Sequence, residues 1–201
     1  MRIWAAALAL VGLAASAARA DMTADMERYF AGEKREGWVF AGVGALAAGG
    51  GVCLIMRDDP VARGASYPIL AVAAVQLGAG VVLLARTDGQ VSTRRRQIAE
   101  DGAAFKQRES ARMSTVATQF EVLKVSEIGL IVGGLGLAWW GRREGHPRVH
   151  GAGLGLAAQA SLMLVLDLFA AERARRYRGA LDRFQPAATA DGLVFSIGGA
   201  F

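Results

Sequence analysis

The chain has one cysteine, two histidines and four prolines in 201 residues. A single cysteine, Cys53, excludes an intrachain disulfide and any cysteine-based metal cage. The two histidines, His146 and His150, have a spacing that could bind a metal or haem on a helix. Gly145 and Pro147 place them in a loop instead, with no cysteine or carboxylate cluster beside them. There is no nucleophile elbow, metalloprotease helix or phosphate-binding loop. Ser92, Ser110 and Ser161 have no histidine to act with, and Cys53 lies inside an apolar run as a small packing residue. No catalytic residue, metal ligand or cofactor is expected, and the chain reads as a non-enzyme. Charge is also scarce, at 20% against about 25% in soluble domains. Hydrophobic residues reach 53% against about 45–50%, and they lie in blocks, which argues against a disordered or purely soluble chain.

Four of those blocks are long: residues 38–56, 67–85, 123–140 and 152–171. About 20 helical residues cross the hydrocarbon core of a bilayer, and a helix satisfies its own backbone there. Trp38, Tyr67, Trp139 and Trp140 stand at block ends, where amphipathic rings favour the headgroup level. The expected fold is an all-α membrane protein with four transmembrane helices as two hairpins. Ten glycines inside the blocks (Gly42, Gly44, Gly49, Gly50, Gly51, Gly78, Gly80, Gly133, Gly134 and Gly136) are expected to form the packing surface. Gly153-Leu154-Gly155 lacks the preceding strand of a dinucleotide loop.

The ends of the chain give conflicting signals. Residues 1–20 resemble a secretory signal peptide: Arg2, an apolar run from Ile3 to Ala15, then Ala18-Arg19-Ala20 before Asp21. Cleavage there would put the mature N-terminus outside the membrane. Basic residues argue for the opposite side. Three (Arg28, Lys34 and Arg35) lie between the leader and the first block, seven (Arg86, Arg94, Arg95, Arg96, Lys106, Arg108 and Arg112) lie in the linker 86–122, and five (Arg173, Arg175, Arg176, Arg178 and Arg183) follow the fourth block. These fifteen face five in the two short loops, and the excess marks the cytoplasmic side. Both rules cannot hold for four spans; a start at Met22 or Met26 would reconcile them. Flanking arginines also account for the net charge of +5 without nucleic acid, which no basic aromatic motif suggests. Ala/Gly/Arg-rich usage is of bacterial type.

The basic side should carry a helical head. After Asp101-Gly102, the chain runs into the third span without another glycine or proline until Gly129. Met113, Val116, Phe120 and Leu123 form one apolar seam; Ala170, Ala174, Tyr177, Leu181 and Phe184 form another. The two seams should pair, with Met22, Met26, Tyr29 and Phe30 adding a third helix and Pro186 ending the last. The membrane domain is thus 21–184, with a C-terminal tail over 185–201. The hairpins also look weakly alike: Phe30 with Lys34 recurs as Phe120 with Lys124, and Gln76 as Gln159, as in a parallel repeat.

Two carboxylates, Glu127 and Asp167, fall inside the spans near the basic side. They can form a proton or cation site, or sit at the interface with Lys124 pairing Glu127 one turn away. Gln76 and Gln159 lie near mid-span, where amides hydrogen-bond across helices. In the tail, Phe195, Ile197, Gly199 and Phe201 alternate with other residues as in a barrel strand, which no other segment supports.

Tyr29-Phe30 with Glu33-Lys34, Tyr67-Pro68, Gln76, Arg86-Thr87-Asp88, Phe105, and Lys124 with Glu127 together resemble a group of small bacterial inner-membrane proteins without an assigned function. The resemblance covers residues 26–130. It implies a start near Met26 and supplies no activity. The expectation is a multi-pass inner-membrane protein acting through helix packing, with lipids and a second copy or another membrane protein as partners. The alternative is a small transporter or ion-pathway subunit using Glu127 and Asp167.

Overall fold

Local chemistry divides the chain into four helices. They are α1 (Arg2–Ile55), α2 (Pro60–Glu100), α3 (Gly102–Arg143) and α4 (Pro147–Arg183). The computed structural model describes the backbone of residues 2–186 and the side chains of residues 16–186. At the start of α2 the Asp59 carboxylate accepts from the amides of Val61 and Ala62, and Pro60 takes the first turn. Asp101 is extended; its own amide donates to the Gln97 carbonyl and its carboxylate accepts from the Ala104 amide, so one residue ends α2 and starts α3. The turn before α4 requires glycine, because Gly145 has φ +69°. α4 ends at Arg183, shortly before Pro186.

All four helices are long and apolar enough to cross a membrane. Even α4, with 37 residues, extends about 55 Å at 1.5 Å per residue, against a hydrocarbon core of about 30 Å. Each helix therefore continues beyond the bilayer. Because directions alternate, the α1 segment before residue 38, the α2–α3 break and the end of α4 gather on one side, and the fifteen basic residues gather with them.

There they build the head. Met22, Met26, Tyr29 and Phe30 of α1, Ile98 of α2, Phe105 and Met113 of α3, and Tyr177 and Leu181 of α4 form its buried core. The α4 seam is buried from Ala170 to Phe184. The α3 seam is buried at Met113 and half-buried at Val116 and Phe120, but Leu123 is exposed. That corrects its expected place in the seam: at Leu123 the helix reaches the bilayer, where an apolar side chain gains nothing by turning inward.

In the spans the backbones themselves meet. α2 and α4 are the central pair, α1 packs on α2, and α3 packs on α4. A Cβ at Gly64 would strike the Arg148 carbonyl, and one at Gly151 would strike the Val61 carbonyl. A Cβ at Gly80 would stand 2.7 Å from the Gly37 carbonyl oxygen, and one at Gly134 2.8 Å from that of Gly153. Only a hydrogen fits at such crossings. Of the ten span glycines expected to pack, Gly44, Gly51, Gly80 and Gly134 do so. Gly42, Gly49, Gly50, Gly78, Gly133 and Gly136 face outward into open space, because a single helix face meets each neighbour.

The reciprocal contacts of Gly64 with Arg148 and of Gly151 with Val61 relate the hairpins in a register of 87 residues, the separation of Gln76 from Met163, which it touches. In this register Met26 matches Met113, Gly42 matches Gly129, Gly49 matches Gly136, Pro60 matches Pro147, Gly64 matches Gly151 and Arg86 matches Arg173. Gln76 then answers to Met163 and Lys34 to Glu121, so the expected matches with Gln159 and Lys124 are corrected. The expected small-x-small site, Ala18-Arg19-Ala20, lies within the unbroken helix α1. Most of the leader's side chains, and residues 187–201 with the alternating Phe195–Phe201 stretch, lie outside the described residues.

Candidate functional site

Polar side chains inside the bundle fall into three levels. The highest, in the head, joins all four helices at Glu109. Its carboxylate accepts from Arg94 Nε at 3.2 Å, from Arg112 Nη2 at 2.6 Å and Nε at 3.0 Å, and from the Tyr177 hydroxyl at 3.2 Å. Tyr177 stacks on Tyr29 with ring centroids 4.5 Å apart, and the Arg94 guanidinium lies 4.8 Å from the centre of Phe30. Burial pushes the Glu109 carboxyl up, but hydrogen bonds and charge from Arg112 and Arg94 outweigh it and hold the carboxyl below the ordinary range. Burial, then the Glu109 charge, push the Tyr177 phenol up, so it stays protonated. This cluster was not foreseen. Its signal was a charge on the seam: Phe105, Glu109 and Met113 are each one turn apart.

The second level lies where the head meets the bilayer. Arg86 donates to Glu33 at 2.6 Å, and Arg173 pairs with Glu36. The two arginines hold matching places in the hairpins, yet both turn to α1, because α3 offers Phe120 and Leu123 where α1 has Glu33 and Glu36. Glu127 of α3 and Asp167 of α4, both buried, are neighbours here, and Asp167 also faces Glu36. Lys124 pairs with Glu121 at 2.5 Å, which corrects the expected pairing with Glu127. The reason is geometric: Glu127 turns inward, 5% exposed, while Lys124 stays on the outer face. In the first hairpin the matching positions are Phe40 and Gly80, so the carboxyl pair replaces an apolar, close-packed crossing.

The third level is mid-span. Gln76 of α2 is fully buried and donates to Gln159 Oε1 of α4 at 3.5 Å and to Met163 Sδ at 3.3 Å. The structure brings the two glutamines together on the central helix pair. His146 caps α4 without a side-chain bond, and His150 Nδ1 lies 2.8 Å from the Ala138 carbonyl oxygen. Among the described residues no group of three His, Cys, Asp or Glu side chains could hold a metal ion.

Fold and site together define a class: an all-α, multi-pass membrane protein of two helical hairpins with a water-exposed helical head. Comparison with family profiles, with curated proteins and with solved structures finds no match.

Proposed function

We propose that this chain is a non-enzymatic protein of the bacterial inner membrane that acts by packing its outer helices against a partner in the bilayer, a second copy of itself or another membrane protein. The outward glycines support this reading above all. On α1, Gly42, Leu46, Gly49 and Cys53 fall on one stripe; on α3, Gly129, Gly133, Gly136 and Trp140 fall on the matching one. All these glycines are exposed, with open space where a Cβ would stand. Small residues let helices approach closely in lipid, where packing drives association. Since open space surrounds them, Gly49→Leu and Gly133→Leu should leave the monomer folded and weaken its association. Cys53, the chain's only cysteine, is exposed on the α1 stripe and reports self-association directly. Oxidative cross-linking in membranes should give a dimer that Gly49→Leu abolishes. Monomer only, with no partner co-purifying in a glycine-sensitive way, would refute the reading.

A second reading rests on the Glu127–Asp167 contact. A pair of buried carboxyl groups at the bilayer edge suits a proton- or cation-linked step of a transporter or ion-pathway subunit. Glu127→Gln and Asp167→Asn should then abolish proton or cation flux in vesicles at unchanged protein level; unchanged flux removes this reading. The basic head is assigned to the cytoplasm on the charge rule. Fluorescent-protein and alkaline-phosphatase fusions after Phe201 test it: fluorescence without phosphatase activity is the expected result.

A further inference from the structure

A groove of about 800 Å³ runs between α1 and α4, from the bilayer edge up the side of the head. Phe169, 72% exposed, stands at its lower end, within the fourth span. Above it come Arg173, Arg175 and Arg176, about 3 to 8 Å beyond the end of the span at residue 171. The headgroup layer is about 5–7 Å deep on each side, so these guanidiniums stand at phosphate level. Arg28 and Arg183 complete the upper wall. Five arginines and two carboxylates, Asp25 and Glu172, line the groove; Arg28 pairs with Asp25 and Arg173 with Glu36 of α1. Arg175 and Arg176 share Glu172, which leaves one of those charges uncompensated, and Arg183 has no ion pair among the described residues. Gly179 leaves the wall without a side chain beside Arg183, whose Nη1 would stand 3.7 Å from a Cβ there.

The other hairpin supplies an internal comparison. In the 87-residue register, Arg175 and Arg176 correspond to Asp88 and Gly89, and Phe169 to Val82. In this register the Gly64/Gly151 crossing and the Arg86/Arg173 pair are matched, whereas Arg175 and Arg176 stand in the second hairpin alone.

We propose that this groove binds an anionic phospholipid, its phosphate held by Arg175 and Arg176 and an acyl chain running down over Phe169. Guanidinium forks match phosphate oxygens, and each basic residue near the surface favours anionic lipid. The occupant is a lipid because the basic wall opens at its lower end onto an aromatic side chain at acyl depth.

The test uses the full chain in detergent, titrated with short-chain phosphatidylglycerol, short-chain phosphatidylcholine or inorganic phosphate, with bound lipid read by native mass spectrometry and stability by thermal unfolding. Phosphatidylglycerol should be retained and should raise Tm, while phosphatidylcholine does neither. Arg175→Gln with Arg176→Gln should weaken retention by about tenfold or more. Both side chains are about four-fifths exposed, so the variant keeps its fold. Arg96→Gln with Arg108→Gln removes the same charge from exposed head positions outside the groove and should leave retention unchanged. Equal loss in both variants would mean diffuse attraction to the whole basic side and would overturn the site. So would equal retention of phosphatidylcholine, or an equal Tm rise from inorganic phosphate, which would make it a free-anion site.

Discussion

The head and the spans belong to the same four helices yet are held together in opposite ways. In the head the fully buried large side chains are Phe30, Phe105, Met22, Met26, Ile98, Met113 and Leu181. In the spans, apart from Phe40, the buried positions are alanines, glycines and polar groups such as Gln76 and Gln159, while Leu46, Val75, Val132 and Phe169 face out. Water drives large apolar side chains inward in the head. Lipid does not, so in the spans the backbones must approach each other, and small residues set the distance. One helix changes from one rule to the other along its length: in α3, Met113 is 1% exposed and Val125 is 67% exposed.

The largest break in this comparison should come at the central crossing. Gly151→Leu would drive a side chain into the Val61 backbone, which cannot give way as a flexible side chain can. We expect loss of folded protein in membranes, measured as protein level and protease resistance. Gly129→Leu, on the same hairpin but with open space around it, should show neither.

Next in size are the head positions. Leu181→Ala should destabilise the head by about 2–4 kcal/mol through lost burial and a cavity. Glu109→Gln leaves the Arg94 and Arg112 charges without their anion and should cost about 3 kcal/mol. Denaturant unfolding followed by tyrosine fluorescence checks both.

The pH profile separates the regions further. Because the folded Glu109 carboxyl lies below its ordinary value, its contribution is present above about pH 4.3 and is lost as pH falls towards the folded value. Tyr177 acts at the other end: its folded value is raised, so its contribution is present below about pH 10 and is lost as pH rises beyond. Thermal unfolding at several pH values should show both edges, and Glu109→Gln should remove the acid one.

The smallest effect should come from the mid-span amide pair. Gln76→Leu removes an interhelical bond worth about 0.6 kcal/mol in lipid and should lower stability only slightly. A large loss would mean that Gln76 is held more tightly than its 3.5 Å contact with Gln159 implies.

Much of the fold was legible because it depends on local properties. Block length, Asp101 as a break, Gly145-His146-Pro147 as a turn and the heptad-like spacing of Ala174, Tyr177 and Leu181 are all short-range signals. The candidate site was less legible. Glu127 and Asp167 were readable as charges in apolar runs, and Gln76 and Gln159 as buried amides, but the partner of each depended on helix rotation. Lys124 shows the difficulty: Glu121 and Glu127 lie three residues to either side, and only the packed face decides between them. Glu36 and Glu109 escaped notice, and Glu33 and Arg173 were named without partners, because charges outside the apolar blocks look like solvated surface until four helices converge on them.

By itself, then, the sequence determined that there are four membrane-length helices, that they pair as hairpins, and that the basic extensions share one side, since length, periodicity and alternation are properties of a single chain. The tertiary structure decided which glycines are crossings and which are open faces, that Gly64 and Gly151 make matching contacts across the central helix pair, and that Glu127 and Asp167 are neighbours. Those outcomes depend on how each helix is rotated about its axis, and that angle is set by the neighbours it packs against.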